Sequence, residues 1–241
     1  MRLAREIAVV TGASSGIGRA SALALAAEGA TVVAAARRQD RLAGLVGEIE
    51  GAGGRALAVA ADVTSPGDVT RLREEAVGAF GRVDILLNNV GVGKYGPLES
   101  ISVEDYDWMM NTNMRSSFLC TRAFLPDMIG RRHGQVCFIA SVAGLKGLPN
   151  ESVYCASKFA QVGFAQALDY ETRDRGVKVS VVAPGGVHTE FAIGTGREEG
   201  DPMLEGMLDP RDVAQAVVFA FTQPDNARTF LIGMRPMSEP L

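Results

Sequence analysis

Apolar residues gather in seven short runs, separated by longer stretches in which they recur at helical spacing. The runs are IAVVT (7–11), TVVAA (31–35), ALAVAA (56–61), DILLN (84–88), QVCFIAS (135–141), VKVSVVAP (177–184) and TFLIGM (229–234). Each is apolar at nearly every position rather than alternately, the pattern of strands covered on both faces, as in a parallel sheet. The stretches between them carry helix start signals. Ser65-Pro66 opens the segment that runs to Phe80, and Ser102 precedes VEDYDWMMNTNMRSSFLCTRAFL, with acids in the first turn. Strands alternating with helices through right-handed crossovers predict an α/β fold: one doubly wound, seven-stranded parallel sheet with helices on both faces. No linker, repeat or low-complexity tract interrupts the chain, so residues 1–241 are expected to form a single domain. The glycine-rich stretch 185–208, between the sixth run and the next helical segment, lacks periodicity and is expected to form a substrate lid.

A charged fraction of 22%, a net charge of −4 and a pI near 5.3 argue against a nucleic-acid surface, which needs clustered lysine and arginine. Small molecules are the expected partners. Cys120, Cys137 and Cys155 are odd in number and widely spaced, so neither a disulfide framework nor a metal site is expected. The start, MRLAREIAVVTG, lacks a signal-peptide core, and no run approaches the ~18 apolar residues of a membrane helix. A cytoplasmic protein without membrane contact is expected.

The first run leads directly into TGASSGIGRASALALAAEG, which puts Gly12, Gly16 and Gly18 in a strand-to-helix turn. Glycines there permit a tight reversal and close backbone approach, and the N–H groups of the helix start attract a pyrophosphate. The spacing is G-x-x-x-G-x-G, and with Thr11 it resembles the TGxxxGxG fingerprint of the short-chain dehydrogenase/reductase family. NNVG (88–91) resembles that family's NNAG, with Val90 in place of alanine. YCASK (154–158) matches YxxxK, and PGGVHT (184–189) resembles PG-x-V-x-T. Ser141 ends the fifth run, and Asn113 falls where the family keeps a helix asparagine. Together and in order, these motifs span nearly the whole chain.

The resemblance implies a Rossmann-type dinucleotide site. Gly12, Ser14, Ser15, Gly16, Ile17 and Gly18 would form its turn, and Asp62 and Val63 its adenine contact. Asn89, Gly91, Pro184, Gly185, Val187 and Thr189 would line the remainder, with Tyr154 and Lys158 at the nicotinamide ribose. At the end of the second run, Ala36 stands where an NAD site places an acid, and Arg37 and Arg38 follow. Two cations and no carboxylate favour the extra phosphate of NADP(H). Asp40 as a displaced acid is the weaker reading.

Tyr154 and Lys158 are four residues apart on a helix and therefore share a face. A phenol near its reference pKa of ~10 is a poor partner for proton transfer at neutral pH, and a neighbouring ammonium would lower it. Alone, such a pair reads as a helix anchor and a snorkelling lysine. The resemblance makes Tyr154 the acid/base, Lys158 its activator and a ribose ligand, Ser141 a donor to the substrate oxygen and Asn113 the anchor of a water-linked proton relay.

His133 and His188 have no ligand-spaced partners and are expected to be structural, as is Cys155. Lys94 and Tyr95 are candidates for the substrate entrance, Lys94 to meet a carboxylate. Phe191, Leu145 and Leu148 are candidate pocket walls. The implied activity is NADP(H)-dependent interconversion of an alcohol with a ketone, aldehyde or keto acid. A 3-oxoacyl thioester reductase is the alternative, although those relatives commonly end in a glycine pair and this chain ends LIGMRPMSEPL. A dinucleotide sensor without catalysis would have lost the Ser–Tyr–Lys set, which is intact. AVVFAFTQPDNA followed by RP resembles a branch of hydroxy-acid dehydrogenases and aldehyde reductases. The family also implies a homotetramer paired through helices around 103–130 and 151–175, with Met109, Phe118, Phe164 and Leu168 available for shared burial.

Overall fold

In the computed structural model, residues 1–200 and 202–239 are described. Seven parallel strands form one sheet: β1 (Ile7–Thr11), β2 (Thr31–Ala36), β3 (Arg55–Ala60), β4 (Ile85–Asn88), β5 (Gly134–Ile139), β6 (Val177–Pro184) and β7 (Leu231–Met234). Their order is β3-β2-β1-β4-β5-β6-β7, so the winding reverses between β1 and β4, where Ala8 pairs with Ile85 and Val10 with Leu87. Each strand lies within two residues of its apolar run at either end.

The helices are α1 (Gly16–Ala27), α2 (Gln39–Gly51), α3 (Pro66–Phe80), α4 (Val103–Met110), α5 (Ser116–Arg131), α6 (Ser152–Thr172) and α7 (Pro210–Phe221). Alternate strand residues serve opposite layers. Val9, Val33 and Val179 pack with Leu72, Phe124 and Leu168 of α3, α5 and α6, whereas Val10, Val32 and Val182 pack with Leu25, Leu45 and Val217 of α1, α2 and α7. Both strand faces are therefore apolar, which produces the continuous runs in the sequence. The caps follow local chemistry. Ser65 accepts from Asp68 N ahead of Pro66, and Ser102 and Asp105 form a reciprocal capping box.

The helical segment after Ser102 is not uniform. Between α4 and α5 the chain widens into a π-helical turn, Asn111–Arg115. Two of the four residues expected at a subunit contact are not available for one: Met109 is fully buried and Leu168 is 4% exposed, both inside the chain's own core. Phe164 is half-buried against Phe118 and Phe138, and Phe118 is exposed.

Candidate functional site

The β1–α1 turn is held by its neighbours across the reversal. Thr11 Oγ1 donates to Leu87 O at 3.1 Å and accepts from Asn89 N at 3.0 Å, while Asn89 Nδ2 donates to Thr11 O at 2.9 Å. Gly12 has φ +65°, in the left-handed region that favours glycine. A Cβ on Gly18 would overlap Gly12 O and Asn89 Nδ2. Asn89 thus spends its amide on the turn itself.

A cavity of about 1110 Å³ runs over this turn along the carboxyl ends of the strands, where doubly wound sheets bind ligands. Every residue expected at the dinucleotide lines it except Gly18, whose place under the turn is structural. Ser14, Ser15, Gly16 and Ile17 form one wall with Gly12, and Arg37 and Arg38 stand at the outer end. Asp62 and Val63 follow on, and Pro184, Gly185, Val187 and Thr189 close the far side. Asp62 is held by Thr64, whose N and Oγ1 donate to Asp62 Oδ1 at 3.0 and 2.8 Å. Asp40 is exposed in the first turn of α2 and does not line the cavity.

Arg38 is already engaged. It donates to Ser14 Oγ at 3.1 and 3.2 Å and to Ser15 Oγ at 2.7 Å, and it pairs with Glu190 at 3.0 Å. Arg37 is exposed and pairs with no carboxylate among the described residues.

The inner end holds Tyr154, Lys158 and Ser141 together, with Asn113 beneath. Tyr154 is 6% exposed and stacks edge-on against Tyr95 at 5.7 Å and tilted against Phe191 at 5.8 Å. Burial pushes its phenol well above the ordinary tyrosine value; Tyr95 adds to this, and the Ser141 hydrogen bond opposes it. Burial also lowers Lys158, to about 7. The Lys158 ammonium lies 5.8 Å from the Tyr154 ring centre and donates to Ile139 O at 3.1 Å and Gln161 Oε1 at 2.9 Å. Burial is the largest effect on both groups, raising the phenol and lowering the ammonium.

The π-turn explains the place of Asn113. Its side chain is fully buried; Oδ1 accepts from Val92 N at 2.8 Å, and Nδ2 donates to Val92 O at 2.9 Å and Ser157 Oγ at 2.8 Å. Its backbone carbonyl accepts from Ser117 Oγ and Gln161 Nε2, both at 2.9 Å. Gln161 thus links Lys158 directly to Asn113. The sequence motifs give no role to Gln161, Ser157 or Ser117, although Gln161 lies three residues beyond Lys158 on the same helix face.

Beyond Tyr154 the cavity is walled by Tyr95, Trp108, Leu148 and Phe191, and the charged groups Glu151, Arg197 and Glu239 also line it. Burial raises Glu151 above the usual carboxylate range. Lys94 is not a free cation here, being paired with Asp105 at 2.6 Å, and Leu145 does not line the cavity. His133 is exposed beside Glu6 and His188 lies at the surface, while Cys155 is buried. Glu6, Asp84 and His133 come together, but Asp84 is held by Arg82, Arg131 and Ile7 N.

The stretch 185–208 is pinned at several points, with Asp201 outside the described residues. Val187 bridges Leu208, Tyr95 N donates to Thr195 O at 2.9 Å, and Thr195 Oγ1 donates to Gly93 O at 2.7 Å. It therefore forms one wall of the inner cavity. No helix among the described residues is long and apolar enough to cross a membrane.

The short chain dehydrogenase family profile matches residues 6–200. A sepiapterin reductase of Chlorobaculum tepidum is 34% identical, with 97% of each chain covered. A 3-oxoacyl-[acyl-carrier-protein] reductase of Synechocystis is 36% identical, with 92% of this chain and 91% of the relative covered. Among solved structures, a metagenomic short-chain oxidoreductase in complex with NADP superposes with a TM-score of 0.85 at 33% identity, covering 99% of this chain and 100% of that one. A short-chain dehydrogenase/reductase from Burkholderia phymatum in complex with NAD gives 0.86 at 32% identity, covering 97% of this chain and 90% of that one.

Proposed function

The chain belongs to the short-chain dehydrogenase family, and from that premise we propose that it is an NADP(H)-dependent oxidoreductase that interconverts a carbonyl compound and its alcohol. One observation carries the reading: a single cavity joins the arginines after β2 to a buried Tyr154–Ser141–Lys158 cluster. The residues fit a dinucleotide. The cavity, at about 1110 Å³, is slightly larger than the ~300–1,000 Å³ typical of small-molecule sites, and a Cβ at Gly91 would stand 3.2 Å from Lys158 Nζ, so glycine keeps that wall open.

Arg37 and Arg38 would hold the 2′-phosphate, the β1–α1 turn the pyrophosphate, and Lys158 the inner ribose. The dinucleotide supplies or accepts the hydride. Tyr154, a phenol protonated at neutral pH and raised further by burial, donates to the carbonyl oxygen as negative charge develops there. The Ser141 hydroxyl aims a second donor at the same oxygen. Lys158, when protonated, favours the phenolate that Tyr154 becomes, and Gln161 and Ile139 O hold it for that role. The aromatic walls favour a substrate with a flat or apolar body.

A 3-oxoacyl thioester reductase is the second reading, supported by the Synechocystis relative. NADPH oxidation across ketones, aldehydes, keto acids and thioesters separates the two. Tyr154→Phe is expected to bind NADPH almost as the wild type does while turnover falls by ~10² or more, and Lys158→Ala to lose both binding and turnover. Full turnover in Tyr154→Phe refutes the assignment; tight NADPH binding without turnover across the panel points to a sensor.

A further inference from the structure

The lid stretch touches the outer, cationic end of the cavity through one side chain. Glu190 accepts from Arg41 Nη1 at 2.6 Å and from Arg38 Nη1 at 3.0 Å. Arg38 also reaches Ser14 and Ser15, so one carboxylate, two guanidinium groups and two hydroxyls form a single cluster. Ser14, Ser15, Arg41 and Glu190, with Arg19, line an adjoining cavity of about 440 Å³. Two guanidinium forks converging beside serine hydroxyls are the donor set that takes a phosphate. The carboxylate seated there has the same charge sign and presents its oxygens as a phosphate would. Arg41 foremost, then Arg38, hold Glu190 below the usual carboxylate range.

The groups are about half exposed: 41% and 42% for the arginines and 56% for the acid. Pairs so wetted contribute little and exchange readily, so a dianion with more acceptor oxygens is the stronger occupant. Glu190 adjoins Thr189, whose methyl lies against Gly16 of the phosphate turn. The ion pairs therefore tie the start of the lid to both the turn and α2.

We propose that Glu190 is an internal competitor for the 2′-phosphate of NADP(H). The phosphate displaces the carboxylate from Arg38 and Arg41 and frees the first part of the lid, while a nucleotide without that phosphate leaves the latch in place. Arg41 becomes a third phosphate ligand beside Arg37 and Arg38. The inference rests on the NADP(H) reading above and makes Glu190 a specificity-determining residue.

Adenosine 2′,5′-bisphosphate and adenosine 5′-monophosphate differ only in the group at issue, and titration calorimetry of each with wild type and Glu190→Gln isolates it. Glutamine keeps the shape and removes the charge. Glu190→Gln is expected to bind the bisphosphate about three- to tenfold tighter, the scale of two exposed ion pairs, and the monophosphate within about twofold. A glutamate-specific protease provides the second readout, since Glu198 and Glu199 are exposed on the lid. Cleavage in wild type is expected to rise with the bisphosphate and not with the monophosphate, and to be raised in Glu190→Gln without either.

If wild type binds the bisphosphate no better than the monophosphate, the cofactor reading falls and the latch with it. If wild type discriminates but Glu190→Gln discriminates no more strongly, the latch alone is wrong. Weaker binding of both nucleotides by the variant makes Glu190 a ribose ligand and overturns the latch, as does cleavage that the bisphosphate leaves unchanged.

Discussion

Lys158 carries the largest departure from ordinary side-chain chemistry that also bears on stability near neutral pH. Burial lowers it to about 7 from an ordinary 10.5. Between those values the unfolded chain holds a proton at this position that the folded chain does not, so stability rises with pH through that window, by at most about 1.4 kcal/mol per pH unit for one proton. Above the ordinary thiol value of 9, the buried thiols of Cys120 and Cys137, pushed up to about 12, act the other way. Urea unfolding between pH 7 and 9 is expected to show a rise in wild type and a flatter profile in Lys158→Met; equal slopes would mean that Lys158 is not held near 7. The proposed preference for NADPH belongs to the same scale. Exchanging Ala36 for Asp and Arg37, Arg38 and Arg41 for neutral residues is expected to turn an NADPH preference into one for NADH, because a carboxylate accepts the ribose hydroxyl and repels phosphate. Relative kcat/KM for the two cofactors reads this directly, and an unchanged ratio refutes the assignment.

At the scale of elements, the β1–α1 turn and the π-turn between α4 and α5 both depart from regular backbone geometry. The first needs glycine because Gly12 has a left-handed φ and Gly18 meets Gly12 O. Gly18→Ala forces an overlap expected to cost about 1–3 kcal/mol, the usual scale of overpacking, and to weaken nucleotide binding. Gly47→Ala, on the open face of α2 with nothing within 4 Å of the added Cβ, is the control and is expected to stabilise by up to about 1 kcal/mol. Thermal melts and NADPH titration of both variants test the contrast, and equal effects would remove the special status of Gly18. In the second element, the wider turn lets the Asn113 carbonyl accept from Ser117 and Gln161, a use of local irregularity that recurs at functional sites.

Association belongs to the scale of the whole molecule. We propose a homotetramer. Phe118 is 43%, Phe159 46% and Tyr170 62% exposed on α5 and α6, and exposed aromatics on adjoining helices are the kind of surface that association covers. Light scattering at micromolar concentration is expected to give four chains, with a smaller species for Phe118→Asp combined with Tyr170→Asp. A monomeric wild type refutes the proposal. Of the residues expected at the contact, Met109 and Leu168 are buried in the chain's own core, because apolar character marks a position for burial without saying in which core.

The strands, their parallel pairing and the order of the motifs were legible because they depend on short-range periodicity. A strand covered on both faces must be apolar throughout, a turn at φ +65° favours glycine, and residues four apart on a helix share a face. By itself the sequence determined that Tyr154 and Lys158 would point together and that cations follow β2. Only the tertiary structure decided what those groups meet. Glu190 reaches Arg38 across 152 residues of chain, and Gln161 reaches the Asn113 carbonyl across 48. Asp105 pairs with Lys94, and burial raises the Tyr154 phenol and lowers the Lys158 ammonium. Partner choice and desolvation depend on which distant segments share a volume, and that information resides in no local pattern of residues.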